Sequence, residues 1–190
     1  MDEDDEQSDT RKKRMNFTIR PMEIDDLATV FHLGEKLFTA NEAPTLYRTW
    51  DQFEVIELFQ AEPELCLVAE TDDDRIIGFT LGTTIRKNRS AWKYGHLVWL
   101  GVEPAFQRRD VSTKLFNHFR DQLIEMGVRM VLVDTEADNL PALHFFRKIG
   151  FGNPEEHIYL TLNLAAQRRQ IAEKKSNGRA EVLRHAKNDV

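Results

Sequence analysis

The most constraining stretch of this 190-residue chain is residues 96–115, HLVWLGVEPAFQRRDVSTKL. An apolar run over residues 97–102 ends at Glu103-Pro104. Proline has no N–H to give a sheet ladder, so a strand stops there. A basic loop, Gln107-Arg108-Arg109, follows. Apolar residues then recur at Val111, Leu115, Phe119 and Met126, the spacing of a helix with one buried face. Strand, basic loop and helix start in that order make an anion site. The first N–H groups of a helix have no internal partner, and the macrodipole adds partial positive charge. A phosphate or pyrophosphate is the natural guest.

Around this stretch the pattern predicts a strand over 16–20 stopped by Pro21 and helices over 24–38 and near 53–62. It further predicts strands over 65–71, 76–86 and 91–102, a helix from 111 stopped by Gly127, and a strand over 129–135. Apolar residues on both faces of that last strand, Met130 and Leu132 against Val131 and Val133, predict a central, buried position. A helix over 139–148 is capped by Asn139, with Pro141 in its first turn and Gly150 at its end. A final strand is expected over 157–164. A strand–helix–strand unit within an otherwise antiparallel order predicts an α+β domain with one parallel strand pair.

Charge and composition narrow the function classes. The net charge of -6 argues against a general nucleic-acid binder. No apolar run approaches the ~20 residues of a membrane span, and the acidic start is unlike a signal peptide, so a cytoplasmic protein is expected. The charged residues 1–14 read as a disordered tail, 15–164 as the domain, and 165–190 as a charged helix or tail. The single cysteine, Cys66, lies in an apolar run and reads as a buried structural thiol, not a nucleophile. No metal site is expected: Asp72-Asp73-Asp74 lacks the glycine and distal glutamate of a calcium loop.

Two segments resemble the GNAT superfamily of N-acetyltransferases. Residues 102–112, VEPAFQRRDVS, are similar to that family's acyl-coenzyme A segment, V-x-P followed by Q/R-x-x-G-x-G/A. Residues 139–151, NLPALHFFRKIGF, are similar to its second motif, N-x-x-A-x-x-hydrophobic-Tyr-x-x-hydrophobic-G-F. The resemblance implies a mixed, mostly antiparallel sheet with helices on both faces and a V-shaped opening between the fourth and fifth strands. It implies acetyl-CoA as acyl donor. The pantetheine arm would run beside Leu100, Gly101 and Val102, with a backbone bulge there. The pyrophosphate would lie over Gln107, Arg108, Arg109, Asp110, Val111, Ser112 and Thr113. Asn139, Ala142 and Phe145 would lie on the coenzyme's path.

Two residues depart from the family pattern. Asp110 stands where the family has glycine. Unit charges about 4 Å apart interact by about 1 to 4 kcal/mol at effective dielectrics of 80 to 20, so its carboxylate must turn away from a pyrophosphate, be offset by Arg108 and Arg109, or weaken binding. Phe146 stands where many members have a tyrosine proposed to protonate the leaving thiolate.

Acyl transfer to an amine needs a proton acceptor, because a lysine amine starts near pKa ~10.4. His96, read as opening the central strand, and Asp134, near the end of the next strand, occupy positions where branches of the family carry glutamates. They are the candidate catalytic residues, with Glu136 behind them. Trp99 reads as core. Glu42, Glu155 and Glu156 are candidates to attract a cationic acceptor. The expected activity is direct acetyl transfer in a ternary complex to a protein lysine, a protein N-terminus or a small amine. The alternative is a GNAT-fold module that binds acyl-CoA or a partner for regulation without turnover.

Overall fold

A computed structural model describes residues 16–38, 49–86 and 92–155, with isolated positions beyond. The chain divides into two compact units, residues 1–149 and 150–190. In the first, five described strands form one sheet in the order β1-β2-β3-β4-β5. These are β1 (Phe17–Pro21), β2 (Cys66–Thr71), β3 (Ile76–Arg86), β4 (Lys93–Val102) and β5 (Met130–Val133). The first four pair antiparallel; β4 and β5 pair parallel, as the strand–helix–strand unit requires. The helices are α1 (Leu27–Leu37), α2 (Gln52–Ala61), α3 (Val111–Glu125) and α4 (Leu140–Lys148). A single 3-10 turn, Ile24–Asp26, leads into α1. The expected final strand over 157–164, the N-terminal tail and the loop carrying Glu42 lie outside the described residues.

Packing assigns a face to each helix. Helices α1 and α2 cover Phe79, Leu81 and Trp99 through Val30, Leu33, Val55 and Leu58, all buried. Trp50 closes this side, its ring tilted against Phe79 with centroids 5.4 Å apart and its indole N–H donating to the Phe31 carbonyl at 2.9 Å. On the opposite face α3 lies close to the sheet. A Cβ on Gly82 would meet the Phe119 ring at 2.4 Å, and one on Gly95 would meet Leu123 at 2.5 Å. Gly127, at φ +74, stops α3, and the Val128 N–H turns back to the Leu123 carbonyl at 2.9 Å.

Strand β5 differs from its expectation. Among the described strands it is an edge, with Met130 and Leu132 49% and 43% exposed. The α1–α2 core is built over β2 to β4 and stops short of that face of β5. Helix α4 has no fully buried residue; Ala142, Phe145, Phe146 and Ile149 are half-buried.

Candidate functional site: a fork between two strands

Strands β4 and β5 pair only where Tyr94, Gly95, His96 and Leu97 face Met130, Val131, Leu132 and Val133. Beyond Leu97, β4 continues to Val102 while β5 ends at Val133. The β4 backbone past this point has no strand partner on that side among the described residues. Its alternate N–H and C=O groups face the gap, as at any strand edge. This is the opening that the family resemblance implies.

A β-bulge fixes what points into it. Leu81 pairs with Trp99 and Gly82 with Leu97, so Val98 is the extra residue. The expected bulge near Leu100 to Val102 therefore lies earlier in the strand. One inserted residue reverses the alternation of faces. Residues 96 and 99 would otherwise lie on opposite faces. With the bulge, Trp99 pairs opposite Leu81, and His96 pairs opposite Thr83, two residues along β3, so both sit on the α1–α2 side. Gly101 shares that side, meeting Leu37 and Phe79, while Val102 turns toward α3 beside Gly78 and Leu115.

The two candidate catalytic residues meet at the fork. His96 Nε2 lies 2.9 Å from Asp134 Oδ1, with the side chains 23% and 43% exposed. His96 is the fourth residue of β4 rather than its opening one; the strand begins at Lys93. Beyond the Asp134 bond, His96 Nδ1 has no hydrogen-bond partner among the described residues. With Nε2–H donating to the carboxylate, Nδ1 carries the lone pair that can accept a proton.

The start of α3 is left open. Its first residue, Val111, is buried and anchors the turn. Asp110, at the N-cap, adopts φ +63 and its side chain caps no N–H. Arg108 is left-handed too, at φ +59. This explains the family glycine at position 110: the loop requires a left-handed residue, which glycine takes without penalty and aspartate tolerates better than most. Arg108, Arg109 and Asp110 are all exposed, and Asp110 pairs with neither arginine among the described residues. Ser112 and Thr113 are half-buried in the first turn. Gln107 is spent on structure, donating from Nε2 to the Val102 carbonyl at 3.2 Å.

On the other arm of the fork, Asn139 caps α4 by accepting from the Ala142 N–H at 3.2 Å. Phe145 and Phe146 meet edge-on at 5.3 Å. Leu100 is half-buried on the free edge of β4. Glu155 is exposed, and Glu42 and Glu156 lie outside the described residues. Burial pushes the Cys66 thiol up to about 12, and the sulfur has no exposed surface, so it stays protonated and out of reach near neutral pH.

Three features carry no local sequence signal. Trp99 is core, as expected, but its indole N–H also donates to Glu54 Oε2 on α2 at 2.9 Å. Glu62, at the end of α2, accepts from the Thr83 hydroxyl at 3.0 Å and from the Thr84 amide and hydroxyl, tying α2 to β3 opposite His96. Arg75, in the β2–β3 turn, reaches the end of β4. Each joins residues far apart in the chain. Among the described residues no three His, Cys, Asp or Glu side chains converge as metal ligands would. No described helix is long and apolar enough to cross a membrane.

Known proteins are similar to this chain in sequence and in fold. The chain is 26% identical over 136 residues to the catalytic subunit NAA20 of the N-terminal acetyltransferase B complex of Arabidopsis thaliana, covering 70% of this chain and 72% of that one. It is 29% identical over 96 residues to N-alpha-acetyltransferase 30 of Schizosaccharomyces pombe, a match over 47% of this chain and 58% of the relative. Among solved structures, the aminoglycoside N-acetyltransferase AAC(6')-Iy in complex with CoA superposes with a TM-score of 0.63 at 19% identity, over 78% of this chain and 96% of that one. Ard1 from Thermoplasma volcanium superposes with a TM-score of 0.61 at 22% identity, over 73% and 84%. These structural likenesses speak for the fold. Membership follows from the sequence profile of the acetyltransferase (GNAT) family, which matches residues 29–151 and so takes in α1–α2, the forked strands and both motif segments: this chain belongs to the acetyltransferase (GNAT) family.

Proposed function

We propose that the chain transfers an acetyl group from acetyl-CoA to a primary amine by direct attack, with His96 as the base and Asp134 as its orienting partner. The observation that carries this reading is the His96–Asp134 pair at the mouth of the fork, 2.9 Å apart. The donor's pyrophosphate meets the open N–H groups at the start of α3, flanked by Arg108 and Arg109. The pantetheine arm follows the free edge of β4 at Leu100, Gly101 and Val102, and Asn139, Ala142 and Phe145 stand across from it. The acceptor approaches from the α1–α2 side, where His96 faces.

In the reaction the amine lone pair attacks the thioester carbonyl carbon. A C–N bond forms and the C–S bond breaks. The amine proton passes to His96 Nδ1, and Asp134 stabilises the imidazolium that results. Sulfur leaves as thiolate. A thiol of ordinary pKa, ~8.5, leaves without a dedicated acid, which suits phenylalanine at position 146. Cys66 is buried and protonated, so transfer needs no acyl-enzyme on it. Of the two relatives described above, one is named a catalytic subunit of an N-terminal acetyltransferase complex and the other an N-alpha-acetyltransferase, which favours a protein N-terminal amine over a lysine or a small amine.

The test is release of free thiol from acetyl-CoA with a panel of peptides of varied N-terminus, lysine peptides with blocked N-termini, and small polyamines. Turnover with N-terminal amines supports the reading. Binding of acetyl-CoA with no thiol released for any amine favours a binding module instead.

A further inference from the structure

We infer that Arg75, in the β2–β3 turn, is a positioning residue for the coenzyme loop, acting through the segment that leads from β4 to α3. This inference rests on the proposed binding of acetyl-CoA at the start of α3.

The loop it serves is strained. Arg108 and Asp110 both hold left-handed backbone, at φ +59 and φ +63, without being glycine. Such conformations persist only where the surrounding structure over-determines them. One flank is fixed by Val111, the first residue of α3, which is 1% exposed. The other flank, residues 103–107, is on the surface and has no comparable apolar anchor.

Arg75 supplies that anchor. Its Nη2 donates to both carboxylate oxygens of Glu103, at 2.5 and 2.7 Å. Its guanidinium also lies over the Phe106 ring, 5.1 Å from the centroid. One side chain thus grips both ends of the 3-10 turn Pro104–Phe106. The base of Arg75 is itself rigid. The Thr71 N–H donates to the Arg75 carbonyl at 3.0 Å, the Thr71 hydroxyl bridges the turn, and Asp74 is left-handed. The backbone repeats the tie: the Glu103 N–H donates to the Ile77 carbonyl at 2.9 Å. Side-chain and main-chain bonds together register the loop against β3 before the chain enters its strained half.

The Arg75 side chain is 54% exposed. An exposed pair contributes little to global stability, but one guanidinium nitrogen shared by both carboxylate oxygens, combined with a cation–π contact, can fix a local geometry. Arg75 therefore governs how the loop is presented rather than whether the domain folds. It touches neither the fork nor His96, so the chemical step is spared.

The experiment is calorimetric titration of acetyl-CoA into the full chain and its Arg75→Met variant, with steady-state kinetics on an accepted amine and thermal melts alongside. The expected result is a Kd and KM for acetyl-CoA about three- to tenfold higher in Arg75→Met, an unchanged kcat at saturation, and an unchanged melt. Arg75→Lys, which lacks the planar guanidinium that lies over the Phe106 ring while reaching Glu103, should recover little of the loss. Should Arg75→Met melt early, Phe106→Leu keeps the test alive, since it removes the ring contact alone and should raise Kd in part. Unchanged affinity in a folded Arg75→Met chain overturns the role of Arg75 and leaves the coenzyme site standing. A wild-type chain that does not bind acetyl-CoA overturns both.

Discussion

Two helices of this domain begin in opposite ways. Helix α4 closes its own N-terminus: the Asn139 side chain accepts from the Ala142 N–H, and Pro141 leaves one fewer donor to satisfy. Helix α2 does the same through Asp51 and the Phe53 N–H at 2.7 Å. Helix α3 has a capping-type residue in the same place, yet Asp110 is turned left-handed and caps nothing. A polar residue before a helix does not by itself close it; backbone conformation decides. Where the conformation forbids the cap, the donors remain for a ligand. The same contrast separates the two sides of the sheet. Around β1 and β2 the charges are tied together: Arg20 bridges Asp26 at 2.6 Å and Glu70 at 2.7 Å. At the fork, backbone edge, imidazole and helix start all face outward.

The sharpest way to break this contrast is at the fork. His96→Ala should lower kcat by about 10²- to 10⁴-fold, leave acetyl-CoA affinity within twofold, and abolish the acid limb of the pH–rate profile. A profile that keeps its acid limb would clear His96 of base duty. Second in size is Ser112→Pro, which deletes one N–H from the first turn of α3, where proline is tolerated. Losing one charge-assisted hydrogen bond should weaken acetyl-CoA by about 10- to 100-fold in calorimetry, with the melting temperature held.

On the closed side, Arg20→Met should cost about 1–2 kcal/mol in urea unfolding near neutral pH, since it strands the buried Asp26 beside Glu70. The Arg20 guanidinium holds both carboxyls below their ordinary range. Their contribution is therefore complete above the ordinary carboxylate pKa of ~4 and is lost as pH falls through the lowered folded values. Wild type and variant should converge in stability as acid protonates both groups. A gap that stays constant down to pH ~2 would show that packing, not charge, sets the difference.

The smallest effects come from exchanging the two helix starts. Asn139→Ala should cost about 1 kcal/mol of stability, because α4 loses its cap. Asp110→Gly should cost no stability and should tighten acetyl-CoA by up to about tenfold, as both strain and carboxylate leave the loop. Equal behaviour of the two sites would erase the distinction between a capped and an open helix start.

Much of this arrangement was readable from residues close together in the chain. Proline 104, the basic loop and the period of Val111, Leu115 and Phe119 placed the end of β4 and the start of α3. Asn139 and Gly127 marked helix boundaries by local geometry that few other residues satisfy. What stayed hidden depends on register between distant strands. The bulge at Val98 leaves no mark in composition, yet it puts His96 and Trp99 on one face. The exposed face of β5 was misread because apolar alternation on both sides signals two covered faces only when the helices reach that far. Glu54, Glu62 and Arg75 carry no local signal of their roles, because only folding brings Trp99, Thr83 with Thr84, and Glu103 to them. The glycine-to-aspartate departure at 110 was visible as charge but not as backbone strain.

The most direct test is a crystal structure of the chain with coenzyme A. The account predicts pyrophosphate oxygens within about 2.7–3.2 Å of the N–H groups of Val111, Ser112 or Thr113, and the thiol at the fork beside His96. A coenzyme seated elsewhere, with the start of α3 bare, would contradict it.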